Sequence, residues 1–388
     1  MAAPWPDRLF EPGPKRILAI DGGGVRGALA IGLLARLEAV LRSRYGRPEL
    51  RLSDYFDLIG GTSVGALIAA GLALGEDMAT VQARFLDLGP RLFRRNRLPR
   101  IPLIQPRLDP ARLAALIAET FGEATLGSAA WKTGFAAVAK RVDTGSSWVL
   151  TNSPRAKYWE GGHTPHAGGR ATIANRDYRL ERVVNASAAA PFFFDLAPIE
   201  IAEGVTGVFF DGAMTAHGNP ALQLALAALV PAYGLGWEAG AERLQIVSIG
   251  TGAPRPRHPD WVRGRQAAVV KALEALVSVA YDTSELAVVV LQWLGHCPQP
   301  WIINREIGGL EGGPPAGFAP LWTFVRYDAP LERQWLADTL GRQIAPETER
   351  RLQRMDDERQ IPTLLEIGGA AGDKLVRGEH FGDAFAPS

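Results

Sequence analysis

Ser63 is the residue whose surroundings most clearly favour covalent chemistry. It lies between Gly61 and Gly65 in the sequence GTSVG, after an apolar run at 55–60 and before an apolar, small-residue run at 66–74. This order predicts a strand, a tight turn and a helix, the context in which a GxSxG match forms a nucleophile elbow. The two glycines allow a sharp turn because they lack a Cβ. A chance match in a chain with 43 glycines is the alternative.

A second glycine turn, DGGGVRG at 21–27, lies between a predicted strand and a predicted helix. Consecutive backbone N–H groups at a helix N-terminus form a concave cluster of donors for an anion. A serine that attacks an ester creates such an anion, the tetrahedral oxygen, and needs donors already in place. The candidate donors are Gly22, Gly23 and Gly24. Arg26 either adds charge there, fixes the loop, or forms a salt bridge with a surface acid.

The same turn also matches the GxGxxG pattern of dinucleotide-binding folds through Gly22, Gly24 and Gly27. That pattern requires an acidic residue at the end of the second strand to hold a ribose. Glu49 is near the required distance, but it precedes the second predicted strand, which ends at Ser63. The sequence therefore favours an anion site over a nicotinamide cofactor, and we expect neither a cofactor nor a metal.

A serine hydroxyl needs a partner that accepts its proton. His217 is the one histidine of six that competes for this role, since the other five do not follow a clear strand end. Asp211 is better placed, because it ends the apolar run at 208–210 and precedes Gly212 and Ala213 at a strand-to-turn junction. An aspartate with the usual pKa of about 3.9 is a weak base, but flanking phenylalanines supply an apolar wall that raises it. An ordinary Asp-Gly turn is the alternative.

The elements that must position these turns repeat along the first two thirds of the chain. Two strand–glycine turn–helix units follow one another, which predicts a parallel sheet with helices on both faces. The predicted helices include 28–42 and 66–74. The predicted strands are 15–20, 55–60, 134–139, 147–151, 206–211 and 244–249. We therefore predict an α/β catalytic domain at 14–255 and a mainly helical C-terminal region at 256–388 packed on it.

The composition limits the classes of protein to which this chain can belong. The net charge of +1 offers no case for nucleic acid, and the single cysteine, Cys297, excludes an intrachain disulfide and suits a reducing compartment. The N-terminus lacks a basic region followed by an apolar one, and the apolar runs are shorter than the roughly 20 residues needed to span a bilayer. We expect a cytoplasmic protein. The sequence is also compatible with peripheral contact between the protein and a membrane surface.

Four motifs, taken in order, resemble the patatin-like lipid acyl hydrolases, whose relatives include the catalytic domain of animal cytosolic phospholipases. They are DGGGVRG at 21–27, GTSVG at 61–65, ASAAAP at 186–191 and DGA at 211–213. The resemblance covers about residues 15–255. Four motifs in one order are far more specific than any one of them.

The resemblance implies a three-layer α/β/α fold and a Ser–Asp dyad without histidine. Ser63 would be the nucleophile, Asp211 the base, and the glycines at 22–24 the oxyanion hole, supported by Arg26. The implied reaction is hydrolysis of fatty-acyl esters of phospholipids or related glycerolipids. Acyl transfer or thioester hydrolysis by the same dyad, and a non-catalytic lipid-binding or regulatory module, remain alternatives.

Two positions depart from the pattern of the family. Ala213 stands where members usually carry a second glycine, and Gly218 stands where many carry the first asparagine of Asn-Asn-Pro. The first looks like a tolerated variant, whereas the second alters a hydrogen bond near the base without altering the chemistry. The C-terminal third is similar to a tail of larger bacterial members and brings no catalytic motif.

Two further segments suggest how the protein contacts a lipid. The run AAAPFFF at 188–194 either lines an acyl channel or belongs to the core. The stretch 91–107 carries six arginines and no acidic residue, interleaved with apolar side chains. That combination is typical of contact with an anionic lipid surface. A solvated basic loop and a site for an anionic regulator are the alternatives.

Overall fold

The fold is described from a computed structural model of the chain. The structure describes residues 5–93, 108–163, 169–191, 193–255, 268–304, 306–310 and 312–387. Most of the basic stretch at 91–107, together with Phe192, His166 and His258, lies outside the described residues.

A single mixed sheet organises the described residues. Its strands are β1 (Lys15–Ile20), β2 (Leu58–Thr62), β3 (Gly134–Arg141), β4 (Ser147–Thr151), β5 (Gly162–His163), β6 (Ala171–Thr172), β7 (Ala197–Ala202), β8 (Val205–Asp211), β9 (Leu244–Ile249) and β10 (Thr323–Tyr327). The strand order is β10-β9-β1-β2-β3-β8-β7-β6-β5, with β4 paired to β3. The strands from β10 to β3 run parallel, whereas those beyond β3 pair antiparallel. The predicted α/β fold with a mainly parallel central sheet is confirmed.

Helices cover both faces of the sheet. They are α1 (Gly27–Tyr45), α2 (Leu52–Tyr55), α3 (Val64–Ala73), α4 (Met78–Leu92), α5 (Pro110–Phe121), α6 (Leu180–Ala188), α7 (Ala221–Leu229), α8 (Ala268–Trp293), α9 (Arg333–Leu340), α10 (Pro346–Leu352) and α11 (Ile361–Leu375). Successive side chains of a strand point to opposite faces. Leu18 and Ile20 accordingly join the core beneath α1 and α3, while Ile17 and Ala19 join the core beneath α7 and α8.

Several elements differ from the sequence-based expectation. The predicted strand at 55–60 begins later, as β2, because residues 52–55 form the short helix α2. Four strands, β5, β6, β7 and β10, had no counterpart among the predicted strands. The domain division at 255 stays a prediction, and β10 extends the same sheet that contains β1. Within the described residues, no helix is both long enough and apolar enough to cross a membrane.

Helix α1, which begins at the end of the first glycine turn, packs against α11 at very short range. A Cβ built at Gly368 would lie 2.1 Å from the carbonyl oxygen of Leu29, and one at Gly32 would lie 2.4 Å from that of Leu365. Only hydrogen fits at either position. The C-terminal helix therefore fixes the first turns of α1 through backbone contact.

This contact predicts opposite effects for two neighbouring glycines of α11. Gly368→Ala is expected to lower the free energy of unfolding by about 1–3 kcal/mol, because the new methyl group overpacks the contact with Leu29. Gly369→Ala is the matched control, since no atom lies within 4 Å of its Cβ position, and it is expected to raise stability by about 0.5–1 kcal/mol. Urea unfolding measures both; equal effects would contradict the close packing.

Candidate functional site

Strand β3 brings the ends of two distant strands together. Thr62, the last residue of β2, pairs with Val138, and Asp211, the last residue of β8, pairs with the next residue, Ala139. Since β4 occupies the other side of β3 over this stretch, β2 and β8 approach each other along the same side. The residue after Thr62 therefore lies beside Asp211, although the two are far apart in the sequence.

Ser63 occupies the turn between β2 and α3 in a strained conformation. Its φ is 58° and its ψ is −128°, a region that costs a non-glycine residue about 1–3 kcal/mol. Its backbone N–H donates to the Ser187 hydroxyl at 3.0 Å, and that hydroxyl donates to the Val138 carbonyl at 2.7 Å. A Cβ at Gly65 would lie 2.2 Å from the Ile20 carbonyl oxygen. The flanking glycines thus let the start of α3 pack directly against the end of β1.

Asp211 faces this serine from a nearly solvent-free position. Only 2% of its surface is exposed. Its carboxylate accepts the backbone N–H of Ala213 at 2.7 Å, and the Ser63 hydroxyl lies close enough to influence its pKa. Both neighbours favour the ionised form, but burial outweighs them and raises the pKa of Asp211 to about 7. A carboxyl group in this state can accept and return a proton near neutral pH.

The first glycine turn lies against both Ser63 and Ala213. A Cβ at Gly22 would lie 3.3 Å from the Ser63 Cβ and 3.1 Å from the Ala213 Cβ. The Gly22 N–H already donates to the Gly218 carbonyl at 3.0 Å. Gly218 is one of the two departures from the family pattern, and here its backbone anchors the turn.

Gly23 and Gly24 carry backbone N–H groups that are available to bind an anion. Neither N–H has a hydrogen-bond partner within the part of the chain that is described. A Cβ at Gly23 would lie 2.4 Å from the Thr251 hydroxyl oxygen, and Gly24 adopts a φ of +60°, which favours glycine. The predicted role of the three glycines stays a prediction, but the available N–H groups are those of Gly23 and Gly24 rather than that of Gly22.

Arg26 is buried beneath this turn, and only 6% of it is exposed. Its Nε donates to the Gly23 carbonyl at 3.4 Å. Burial lowers the pKa of Arg26 to about 10, opposed by the carboxylates of Asp328 and Asp21. Of the three roles considered for this residue, the geometry favours the one in which it fixes the loop, since a surface acid does not pair with it among the described residues.

The sequence analysis missed two charged residues next to the turn, Arg326 and Asp328. Arg326 lies on β10 and contacts Asp21 at 2.7 Å and Asp328 at 2.8 Å. Asp328 follows a strand at a strand-to-turn junction, as Asp21 does, but the sequence did not predict that strand, so this signal was not available. Arg326 carried no such signal.

Among the described residues, His217 and His380 have hydrogen-bond partners other than Ser63. His217 accepts the Thr62 hydroxyl through its backbone carbonyl at 2.7 Å, and burial lowers the pKa of its ring. His380 hydrogen-bonds Tyr327 within the core at 2.7 Å. Neither ring hydrogen-bonds Ser63 within the described residues.

The two segments expected to contact lipid, 188–194 and 91–107, are only partly described. Phe193 and Phe194 pack against the main hydrophobic core, which favours the core over the channel for these two side chains. Arg91 pairs with Asp87 and Glu119. The other five arginines of the basic stretch lie outside the described residues.

Comparison with known proteins identifies the family of the chain. Residues 18–225 match the profile of the family described as Patatin-like phospholipase. The chain belongs to this family, and the suspected resemblance is confirmed.

Individual relatives match over part of their length. The chain is 33% identical over 220 residues to a cGAMP-activated phospholipase of Vibrio cholerae, a match that covers 53% of this chain and 55% of the relative. It is 29% identical over 205 residues to a protein of the same description from Escherichia coli, covering 53% of each. Patatin-15 of Solanum tuberosum is 28% identical over 250 residues, covering 61% of this chain and 60% of the relative. The chain thus spans just over half of the length of these relatives.

The raised pKa of Asp211 predicts a stability cost at neutral pH. The unfolded carboxyl titrates at its ordinary 3.8 and the folded one at about 7, so wild-type stability falls as pH rises between these values. Asp211→Asn keeps the shape and cannot ionise. Its stability advantage over the wild type is expected to grow by about 2–3 kcal/mol between pH 5 and pH 8. Urea unfolding at both pH values measures this, and a difference independent of pH would contradict the burial of an ionisable carboxyl.

Proposed function

We propose that this protein is a serine lipid acyl hydrolase in which Ser63 is the nucleophile and Asp211 the general base. One observation carries the proposal: a strained serine at the start of a helix lies beside a buried carboxylate whose pKa burial raises to about 7. Ordinary core serines need neither the strain nor the partner. The fold family and the names of two relatives support the same conclusion.

The proposed reaction proceeds in two halves. Asp211 accepts the proton of the Ser63 hydroxyl as the oxygen attacks the acyl carbonyl. The negative tetrahedral oxygen is stabilised by the open N–H groups of Gly23 and Gly24. Asp211 then returns the proton to the departing alcohol, leaving an acyl-serine. In the second half water takes the place of the alcohol, Asp211 accepts its proton, and the fatty acid leaves as Ser63 regains its hydrogen.

The substrate proposed is a fatty-acyl ester of a phospholipid or related glycerolipid, met at a membrane surface on the cytoplasmic side. The phospholipase names of the relatives support this class. Acyl transfer or thioester hydrolysis by the same dyad would differ only in the acceptor or the leaving group. A non-catalytic lipid-binding module is disfavoured, because Ser63, Asp211 and the glycine turn are all intact.

Fatty-acid release from mixed phospholipid vesicles tests this function. Wild type is expected to release fatty acid, while Ser63→Ala and Asp211→Asn lose at least about 1000-fold in rate, because each removes a reacting group. Ser53→Ala is the matched control, since Ser53 is also buried and its hydroxyl has no partner within the described residues. It is expected to retain activity.

Each outcome of this assay has a distinct meaning. Full activity in Ser63→Ala would overturn the mechanism. Because two relatives are named for activation by cGAMP, the assay is run with and without it. If the wild type releases no fatty acid under either condition, it is tested with a fluorophosphonate label and with short nitrophenyl esters. No labelling at Ser63 and no ester cleavage would overturn the proposal.

The pH dependence of kcat/KM and one substitution together test which residue is the base. With Asp211 as the base, kcat/KM is expected to rise to a plateau through a pKa of about 7, the value that burial gives its carboxyl. A histidine base would show a similar limb, so the substitution His217→Ala makes the distinction. We expect it to keep kcat/KM within about 5-fold of wild type. A loss of about 1000-fold would transfer the role of base to His217.

A further inference from the structure

The buried guanidinium of Arg326 hydrogen-bonds side chains at the ends of three neighbouring strands, β1, β9 and β10. It donates to Asp21 at 2.7 Å, to Asp328 at 2.8 Å and to the Ser248 hydroxyl at 2.7 Å. Only 8% of Arg326 is exposed. The residue lies on β10, well beyond the matched residues 18–225. It joins β10, β9 and the turn after β1.

Asp21 connects this cluster to the glycine turn. It directly precedes Gly22, and its backbone N–H donates to the Ile249 carbonyl at 3.0 Å. One carboxylate oxygen accepts Arg326. The other is buried and has no hydrogen-bond partner among the described residues. The ion pair with Arg326 is therefore the side-chain tether at the start of the turn.

The charges beneath the turn balance only when Arg326 is counted. Arg26 and Arg326 face the carboxylates of Asp21 and Asp328, and all four are buried. Without Arg326 two carboxylates would share one arginine, and the excess negative charge would lie under the N–H groups proposed to bind an oxyanion. Such a charge opposes the development of negative charge in the transition state.

A second contact from the C-terminal region holds the other side of the turn. The Val25 N–H donates to the Met355 carbonyl at 3.0 Å. A Cβ at Gly24 would lie 2.3 Å from that same oxygen. The turn is thus held between Arg326 and Met355, both of which lie after residue 255.

We propose that Arg326 is a positioning residue, which holds the glycine turn in register with Ser63 and balances the charge beneath its open donors. The inference rests on the proposed function for its effect on catalysis. It also assigns part of the active-site architecture to the C-terminal region, where no catalytic motif occurs.

The test compares Arg326→Met with Arg16→Met in the full-length protein. Arg16 is a matched control, since it is also buried and ion-paired, with Asp57 at 3.0 Å, but lies at the opposite end of β1 from the turn. Both variants are expected to lose stability. With a short nitrophenyl ester, Arg326→Met is expected to lose about 10- to 100-fold in kcat with little change in KM, because misplaced donors affect the transition state. Arg16→Met keeps kcat.

Two further readouts separate positioning from simple loss of folding. An acyl trifluoromethyl ketone forms a tetrahedral oxyanion on Ser63, so its affinity is expected to fall in parallel with kcat in Arg326→Met. Arg326→Lys restores the charge without the three-way geometry and is expected to recover part of the loss. Unchanged kcat in folded Arg326→Met, or an equal fall in both methionine variants, would overturn the proposal.

Hydrogen exchange of the peptide 21–29 keeps the inference separate from the proposed function. Arg326→Met is expected to speed exchange there at least about 10-fold over Arg16→Met, whatever the reaction of the protein. If the wild type cleaves no ester and is not labelled at Ser63, the proposed function fails, while faster exchange still supports the tether. Equal exchange in both variants would overturn the tether itself.

Discussion

The organising constraint of this molecule is the close approach of three backbone turns at one edge of the sheet. The turns after β1, β2 and β8 meet where a Cβ at Gly22 would touch both Ser63 and Ala213. Glycine at 61 and 65 lets the start of α3 reach the end of β1. Because interiors are close-packed, a side chain at Gly61 or Gly65 would require the backbone to move, whereas one at Gly22 would require its neighbours to shift slightly. The position of the serine oxygen relative to the carboxylate therefore depends on the packing of the whole sheet.

Two kinds of buried carboxylate lie at this edge and differ in their partners. Asp21 and Asp328 each have an arginine as a neighbour, yet burial still raises the pKa of Asp21 to about 6, because the charge of Arg326 offsets only part of the cost of burial. Among the described residues, the close partners of Asp211 are the N–H of Ala213 and the Ser63 hydroxyl, and neither is a cation. A carboxyl group with that environment is unstable as an anion, and this raises its basicity. Asp211 therefore differs from Asp21 in having a serine hydroxyl rather than a guanidinium beside its carboxyl group, which is the arrangement that the proposed proton transfer requires.

The C-terminal region is joined to the site more closely than its sequence suggests. Strand β10 extends the parallel sheet, α11 packs onto α1 through glycines, and Met355 accepts a hydrogen bond from the glycine turn. The family profile ends at residue 225, so β10, α11 and Met355 all lie outside the matched part of the chain. Elements outside a family match can thus complete the architecture of a site that lies within it.

The sequence by itself determined several of the local elements and singled out the residues that are proposed to react. Strong apolar patterns gave β1, β4 and β9 with the bounds found in the structure, and glycine spacing marked both turns. Short strands such as β10 were not predicted from the sequence. Five residues of mixed polarity after a Gly/Pro-rich stretch do not distinguish a strand from a helix. Only the tertiary structure decided which strand ends meet. The pairing of Thr62 and Asp211 with adjacent residues of β3, and of Asp21 with an arginine 305 residues away, depends on sheet register, which no local pattern encodes.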